Sequence, residues 1–201
     1  GEVNEDLRII SMNSVSSTTT YFVGDQTVPS QTQFYFECKI LSNISMSTSK
    51  FSIGFIDSRE YQSFNFLPFE TFSLVLPVKE IQSPTIGVIK LDESFTLQGG
   101  DVIGVAYTRN NIYFFRNGVK INLTIPTPHL GSFTPFISMT GKEMQLEYNF
   151  GQTQFKTEFT REKIFDFCSE CFINLTSKPN IETTKFINNS LESSEYKDVI
   201  Q

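Results

Sequence analysis

The feature that most constrains the fold is an alternation of apolar and polar residues with a period of two. Between residues 34 and 40 every second side chain is apolar, namely Phe34, Phe36, Cys38 and Ile40. Successive side chains of a β-strand point to opposite faces, so this pattern predicts a strand with one buried face. The same alternation recurs in the segments that begin at Phe51, Phe72, Val119 and Met144.

Other features of the sequence also favour an all-β fold. The chain has 201 residues, and 21 of them are Phe, a residue type that suits the pleated surface of a sheet. The segments Val102–Tyr107 and Phe133–Met139 are apolar on both faces and predict central strands. Asn117-Gly118 stands between two apolar runs and predicts a tight hairpin. Many short strands separated by turns indicate a sandwich or a barrel.

Charge and cysteine content exclude several classes of function. A formal net charge of −6 disfavours nucleic acid as a partner and an anionic membrane surface as a binding site. No apolar run reaches the roughly 18 residues of a membrane span, and the first residues do not resemble a signal peptide. Three cysteines without a framework spacing fit a reducing compartment. We therefore expect a cytoplasmic or nuclear protein, monomeric and without membrane insertion.

Residues suited to catalysis or to metal binding are scarce. His129 is the single histidine, so every arrangement with a histidine base would depend on it. Cys168 and Cys171 form one Cys-x-x-Cys pair, and only Cys38 and His129 are available to complete the four ligands of a structural zinc site. We predict no catalytic residue, no metal and no cofactor, and therefore a protein that is not an enzyme.

The pattern changes near residue 160. Apolar residues then recur at spacings of three and four, which predicts a short helix; they are Ile164, Phe167, Cys168, Cys171 and Leu175. After Leu175 the chain is rich in Ser, Thr, Asn, Lys and Glu, which is typical of a flexible polar tail. We predict a sandwich domain over residues 1–159, followed by the helix and the tail over residues 160–201.

Five blocks, in order along the chain, resemble the SPRY domain family. They are the strands 34–40 and 51–55, Gly100-Asp101-Val102-Ile103-Gly104, the block 112–118 that ends in Asn117-Gly118, and Tyr148-Asn149-Phe150-Gly151-Gln152 with Phe155. The closing block is similar to that of the Ran-binding-protein-M and Ash-type branch. Residues 58–93 match the family poorly, and the chain has no Trp.

The resemblance implies a two-sheet antiparallel β-sandwich of concanavalin-like jelly-roll topology that binds other proteins. In this family the loops at one end of the sandwich recognise a partner peptide or surface. The resemblance therefore implies an adaptor, or the substrate-recognition part of a larger assembly. A lectin-like sandwich that binds carbohydrate is the alternative, although the absence of Trp platforms counts against it.

The order of the blocks leads us to expect three loops to meet at the binding end. Their candidate partner-binding residues are Asn13, Ser14 and Val15; Asp57, Ser58 and Tyr61; and Met139, Thr140 and Gly141. Tyr61 is the strongest candidate, since a loop aromatic buries much area at low entropic cost and retains a hydroxyl. Arg109, in a turn between two predicted strands, is a further candidate for pairing with an acidic partner.

Overall fold

The structure is a computed structural model, and every element in its described part is a β-strand. It describes residues 2–4, 8–12, 19–24, 27–28, 34–42, 49–57, 71–108, 110–127, 133–141, 144–157 and 186–189. The strands are β1 Glu2–Asn4, β2 Ile9–Met12, β3 Thr20–Gly24, β4 Phe34–Ile40, β5 Lys50–Asp57, β6 Thr71–Leu76, β7 Glu80–Ser83, β8 Gly87–Lys90, β9 Val102–Thr108, β10 Asn111–Arg116, β11 Val119–Lys120, β12 Ile125–Pro126, β13 Phe133–Thr140, β14 Met144–Asn149 and β15 Phe186–Asn189.

The strands form two sheets, and every strand pair is antiparallel. Sheet A has the order β1-β2-β14-β4-β9-β10-β11, with β12 also paired to β10. Sheet B has the order β15-β3-β13-β5-β6-β7-β8. The apolar inner faces of the two sheets pack on each other, so the predicted two-sheet antiparallel sandwich is confirmed.

The alternation in β4 produces the predicted inner face. Phe34, Phe36, Cys38 and Ile40 all belong to the core between the sheets. The ring of Phe34 meets that of Phe55 from sheet B edge to face, with 6.1 Å between ring centroids. Burial of a Phe or Ile side chain stabilises the fold by roughly 1.5–3 kcal/mol relative to exposure. The core is thus built from the positions that the period-two pattern singles out.

The predicted central strands and the hairpin are also observed. Strand β9 lies between β4 and β10, and β13 lies between β3 and β5. Asn117 and Gly118 have φ angles of 50° and 81° and join β10 to β11. These positive φ angles belong to the turn type that Asn-Gly favours in two-residue hairpins. The run after Gly118 is shorter than its alternation predicts, because β11 ends at Lys120.

The register of the sheets defines two opposite ends of the sandwich. Strands β13 and β5 pair from Phe133 with Asp57 to Thr140 with Lys50. Strand β5 has 8 residues, which at about 3.3 Å per residue separates its ends by roughly 25 Å. We call these the Asp57 end and the Thr140 end.

The C-terminal region differs in part from a uniform polar tail. Residues 186–189 form β15, which pairs with β3 at the edge of sheet B. A four-residue strand in a Ser- and Asn-rich segment carries too little apolar alternation to be recognised from sequence. The predicted helix, with Ile164 to Leu175, lies outside the described residues, and the domain boundary at residue 159 stays a prediction.

We predict that Gly54→Ala strongly destabilises the sandwich. A Cβ atom on Gly54 would stand 1.9 Å from the backbone oxygen of Phe72, so β5 and β6 would have to separate. Urea unfolding should show a loss of about 3 kcal/mol, while Lys50→Ala, on an exposed position of the same strand, should change stability by about 0.5 kcal/mol or less. Equal stabilities for the two variants would contradict this packing.

Candidate recognition surface

A buried hydrogen-bond network lies on the outer face of sheet A, although the alternation in β4 predicts only one buried face, the inner one. Tyr35 and Glu37 are only 1% and 5% exposed. The Tyr35 hydroxyl donates to Glu37 Oε2 over 2.9 Å and lies 2.6 Å from Thr157 Oγ1. The backbone N–H of Lys156 donates to both carboxylate oxygens of Glu37, over 3.0 and 3.1 Å. Glu37 therefore holds the segment after β14 against sheet A through these hydrogen bonds.

Asn149 shapes the turn that starts this segment. Its Oδ1 accepts hydrogen bonds from the backbone N–H groups of Gly151 and Thr153, and its Nδ2 donates to Glu37 Oε1 over 3.3 Å. Gly151 has a φ of 105°, a conformation that favours glycine. The turn directs Phe155 onto the Tyr35 ring, with 4.7 Å between centroids. The Asn149-Phe150-Gly151-Gln152 block therefore has a structural role, because it forms this turn.

The Gly-Asp-Val-Ile-Gly and Asn-Gly blocks form a second structural network. Asp101 Oδ2 accepts from Arg116 Nη2 over 2.9 Å, and Asp101 Oδ1 accepts from Asn117 Nδ2 over 2.7 Å. Asn117 Oδ1 in turn accepts from the backbone N–H of Val102. A Cβ on Gly104 would stand 2.1 Å from the Tyr35 hydroxyl, so only glycine leaves room for that ring.

The titratable groups of these networks are held by burial and by hydrogen bonds. Burial raises the pKa of Glu37, although the Lys156, Tyr35 and Asn149 donors oppose that shift. Partial burial acts to raise the pKa of Asp101, but the Asn117, Gln98 and Arg116 donors outweigh it and lower the pKa. Burial also raises the pKa of the Cys38 thiol. Glu37 and Asp101 therefore connect neighbouring segments of the fold through the hydrogen bonds that they accept.

The described residues contain neither a metal cluster nor a membrane-spanning helix. No group of three or more His, Cys, Asp or Glu side chains within them could hold a metal ion. In the same residues there is no helix with the length and hydrophobicity needed to cross a membrane. His129, Cys168 and Cys171 lie outside the described part.

The described strand ends that lead into the predicted binding loops do not all lie at one end of the sandwich, and the binding role of these loops stays a prediction. Asp57 is buried at one end of β5, whereas Thr140 and Gly141 lie at the other end of the sandwich. Strand β2 ends at Met12, opposite Met144, so the chain leaves β2 at the Thr140 end. The register of β5, unknown before the strands are paired, separates these loops.

The remaining predicted site residues fall into three situations. Met139 is fully buried in the core, Gly141 is buried and Thr140 is half-buried. Arg109 follows β9, which ends at Thr108. Near the end of that strand the ring of Tyr107 lies 4.9 Å from the ring of Phe133, which pairs with Asp57, so β9 ends at the Asp57 end. The others lie outside the described residues; they are Asn13, Ser14, Val15, Ser58, Tyr61 and Arg109 itself. Their role in binding stays a prediction.

A shallow groove on the outer face of sheet B opens beside Thr140. We call it the sheet B groove; it has a volume of about 120 Å³ and is lined by Thr19, Tyr21, Lys50, Ser52, Thr71, Val75, Gln82, Phe136, Ser138 and Thr140. A hydrogen bond of 2.8 Å joins the hydroxyl of Thr19, the residue before β3, to the hydroxyl of Thr140 in β13. Small-molecule pockets usually enclose about 300–1,000 Å³, so this groove suits one or two side chains of a peptide.

The chemistry of the groove combines hydroxyl groups with an apolar floor. Phe136 packs with Val23 and Ile56 in a second buried cluster, against which Tyr21 also lies. Lys50 is exposed and supplies a positive charge. Hydroxyls can donate and accept hydrogen bonds, so the surface can bind the polar groups of an extended segment. Sequence analysis missed the groove because its hydroxyls come together only when β13 and β5 are paired.

A second groove, on sheet A, has a volume of about 420 Å³, but it is part of the structural network. Its lining residues are Glu37, Lys39, Val102, Glu147, Asn149, Thr153, Gln154, Phe155 and Lys156. Three of these, Glu37, Asn149 and Phe155, hold the segment after β14 in place. The sheet B groove is therefore the better candidate for a recognition surface.

Two solved structures with the same architecture are SPRY domains. The SPRY domain of human HERC1 has a TM-score of 0.58 and 14% sequence identity, over 75% of this chain and 92% of that chain. Another human SPRY domain has a TM-score of 0.57 and 14% identity, over 77% of this chain and 96% of that chain. No protein-family model and no curated protein sequence matches the chain. The predicted SPRY fold is confirmed.

We predict that Glu37 makes stability depend on pH. Burial raises the pKa of Glu37 above its usual value of 4.5. A raised pKa in the folded state means that its contribution is complete below pH 4.5 and is lost as the pH rises through the folded-state pKa. Glu37→Gln retains an acceptor for the Lys156 N–H and cannot ionise. The free energy of unfolding of the variant minus that of the wild type, measured in urea, should therefore grow above pH 4.5 and then level off. A difference that stays flat or falls would contradict this prediction.

Proposed function

We propose that this chain is a protein-interaction module, which recognises a partner peptide or protein surface through the sheet B groove and the loops at the Thr140 end. In this proposal it works in the cytoplasm or nucleus, as an adaptor or the substrate-recognition part of a larger assembly. The resemblance of the closing block, Tyr148–Gln152 with Phe155, to that of the Ran-binding-protein-M and Ash-type branch supports such a role.

The main support for this proposal is the set of side chains that line the sheet B groove at the Thr140 end of β13. Ser52, Ser138 and Thr140 supply hydroxyl groups from two paired strands, and Phe136 provides an apolar floor. Because the sheet holds these groups in place, a ligand need not pay for ordering them. Peptide recognition generally combines such backbone-directed hydrogen bonds with a pocket for a side chain.

The role of the other polar clusters supports binding over catalysis. Glu37 and Asp101 are engaged by neighbouring donors that join strands, namely Lys156, Asn149, Arg116 and Asn117. A general acid or base must instead reach a bound substrate. We therefore propose a non-enzymatic module without metal or cofactor.

We predict that peptides selected on the wild-type chain lose affinity when the groove is altered. Random peptides displayed on phage would be selected on the folded protein, and their Kd values measured by fluorescence anisotropy. Lys50→Glu reverses the charge at the groove, and Thr140→Arg places a long side chain at its mouth. Each should weaken binding at least tenfold, which corresponds to about 1.4 kcal/mol. Lys90→Glu, the same charge change on the exposed strand β8, should leave the Kd unchanged.

Two outcomes would contradict this assignment. Undiminished binding by Lys50→Glu and Thr140→Arg, together with loss of binding by Asp57→Asn, would move recognition to the Asp57 end. Specific binding on a glycan array, without selected peptides, would favour the carbohydrate-binding alternative. Melting temperatures of all variants should match that of the wild type, so that loss of binding reports the surface and not unfolding.

A further inference from the structure

The register of β5 and β13 brings four polar side chains together in the sheet B groove. Lys50 lies opposite Thr140, and Ser52 lies opposite Ser138. Phe51, between Lys50 and Ser52, belongs to the core, so these four side chains project from the outer face of the sheet. Side chains directly opposite each other have Cβ atoms about 5 Å apart, and the two pairs lie about 7 Å apart along the strands. A single ligand group can therefore contact side chains of both pairs.

The hydroxyl of Ser138 lies in the groove without a hydrogen-bond partner. Ser138 is only 7% exposed and belongs to the lining of the groove. Neither its hydroxyl nor that of Ser52 forms a hydrogen bond with a described residue. The nearby hydroxyls of Thr71 and Ser73, by contrast, are paired over 2.8 Å. Because buried polar groups almost always have a partner, the Ser138 hydroxyl requires one from solvent or from a ligand.

Lys50 makes the groove locally electropositive on an acidic protein. The described residues that line the groove include Lys50 and no Asp, Glu or Arg. Lys50 is exposed and forms no ion pair with any described residue. The formal net charge of −6 belongs to the whole chain, and exposed charges further away than about 8–10 Å are largely screened by salt. An ammonium group beside hydroxyl donors therefore attracts an anionic group to the groove.

We propose that the groove binds the side-chain carboxylate of an Asp or Glu residue in the partner peptide. This binding mode rests on the proposed function and names the residue that the groove selects. An ionised carboxylate only accepts hydrogen bonds. The hydroxyls of Ser52 and Ser138 donate to its oxygens, and the Lys50 ammonium group balances its charge. Hydrogen bonds to a charged group are stronger than those between neutral groups, so the neutral amide of Asn or Gln is a weaker ligand.

The charge and the size of the groove favour a carboxylate over a phosphate. A phosphorylated side chain carries about −1.5 to −2 charges at neutral pH, and proteins generally bind it with clusters of Arg. The described lining of the groove supplies one Lys and no Arg. Its volume of about 120 Å³ corresponds to about four water molecules at roughly 30 Å³ each, enough for one carboxylate side chain.

The test is a double-mutant cycle between the protein and the tightest-binding peptide selected on the wild-type chain. Each acidic residue of the peptide would be replaced in turn by its neutral isostere, Asp by Asn and Glu by Gln. Lys50→Met removes the charge and keeps the length of the side chain, and Ser138→Ala removes the hydroxyl. Lys90→Met, on the exposed strand β8, is the matched control. Kd values would be measured by fluorescence anisotropy, after equal melting temperatures have been verified.

At one acidic position of the peptide, neutralisation should weaken binding to the wild type about tenfold, and binding to Lys50→Met by less than about twofold. Lys90→Met should respond to the same peptide change as the wild type does. Ser138→Ala should weaken binding of the acidic peptide about fivefold and change the affinity of the neutral peptide by less than about twofold.

Two results would overturn the carboxylate assignment while leaving the groove as the peptide site. One is a selected peptide that loses affinity for Thr140→Arg, yet has no acidic residue or binds equally well when its acidic residues are neutralised. The other is tighter binding of the same peptide with phosphoserine in place of the acidic residue, which would assign a phosphate instead. Undiminished binding by Thr140→Arg would contradict the proposed function and this assignment together, so the two failures are distinguishable.

Discussion

The burial of aromatic side chains between two sheets is the interaction on which the rest of the structure depends. The rings of Phe34 and Phe36 from sheet A meet Phe55 from sheet B edge to face, with centroids 6.1 and 5.6 Å apart. Phe150, the residue after β14, stacks on Phe36 with 5.3 Å between ring centroids. Since these contacts use inward-facing positions, the outer faces and the ends of the strands are left to carry other functions. A sandwich of this kind can change its surface without losing its core.

The outer face of sheet A holds the segment that follows β14, and the outer face of sheet B contains the groove beside Thr140. On sheet A, Glu37 and Asn149 hold the segment up to Thr157 against the sheet. On sheet B, the groove beside Thr140 is lined by hydroxyl groups. Most of the blocks that resemble SPRY domains belong to the core or to the hydrogen-bond networks of sheet A. They therefore identify the fold well and say little about the partner.

Sequence predicted the strands better than it predicted the site, and the reason is physical. The alternation in Phe34–Ile40 depends only on neighbours along the chain, so it can be read without knowing the fold. Which loops share an end depends on strand pairing, and the register of β5 with β13 separates Asp57 from Thr140. The burial of Glu37 escaped prediction because two of its donors, Asn149 and Lys156, lie far along the chain. Strand β15 has a partner in β3 but almost no apolar pattern of its own.

The most direct test of the account is a map of where a bound peptide touches the protein. Amide chemical shifts of the full chain would be recorded with increasing amounts of a peptide selected on the wild type. Recognition through the sheet B groove predicts the largest shifts at Lys50–Ser52 and at Ser138–Thr140, two strand segments that pair with each other. Shifts centred on Asp57 and Thr108 at the opposite end would contradict it.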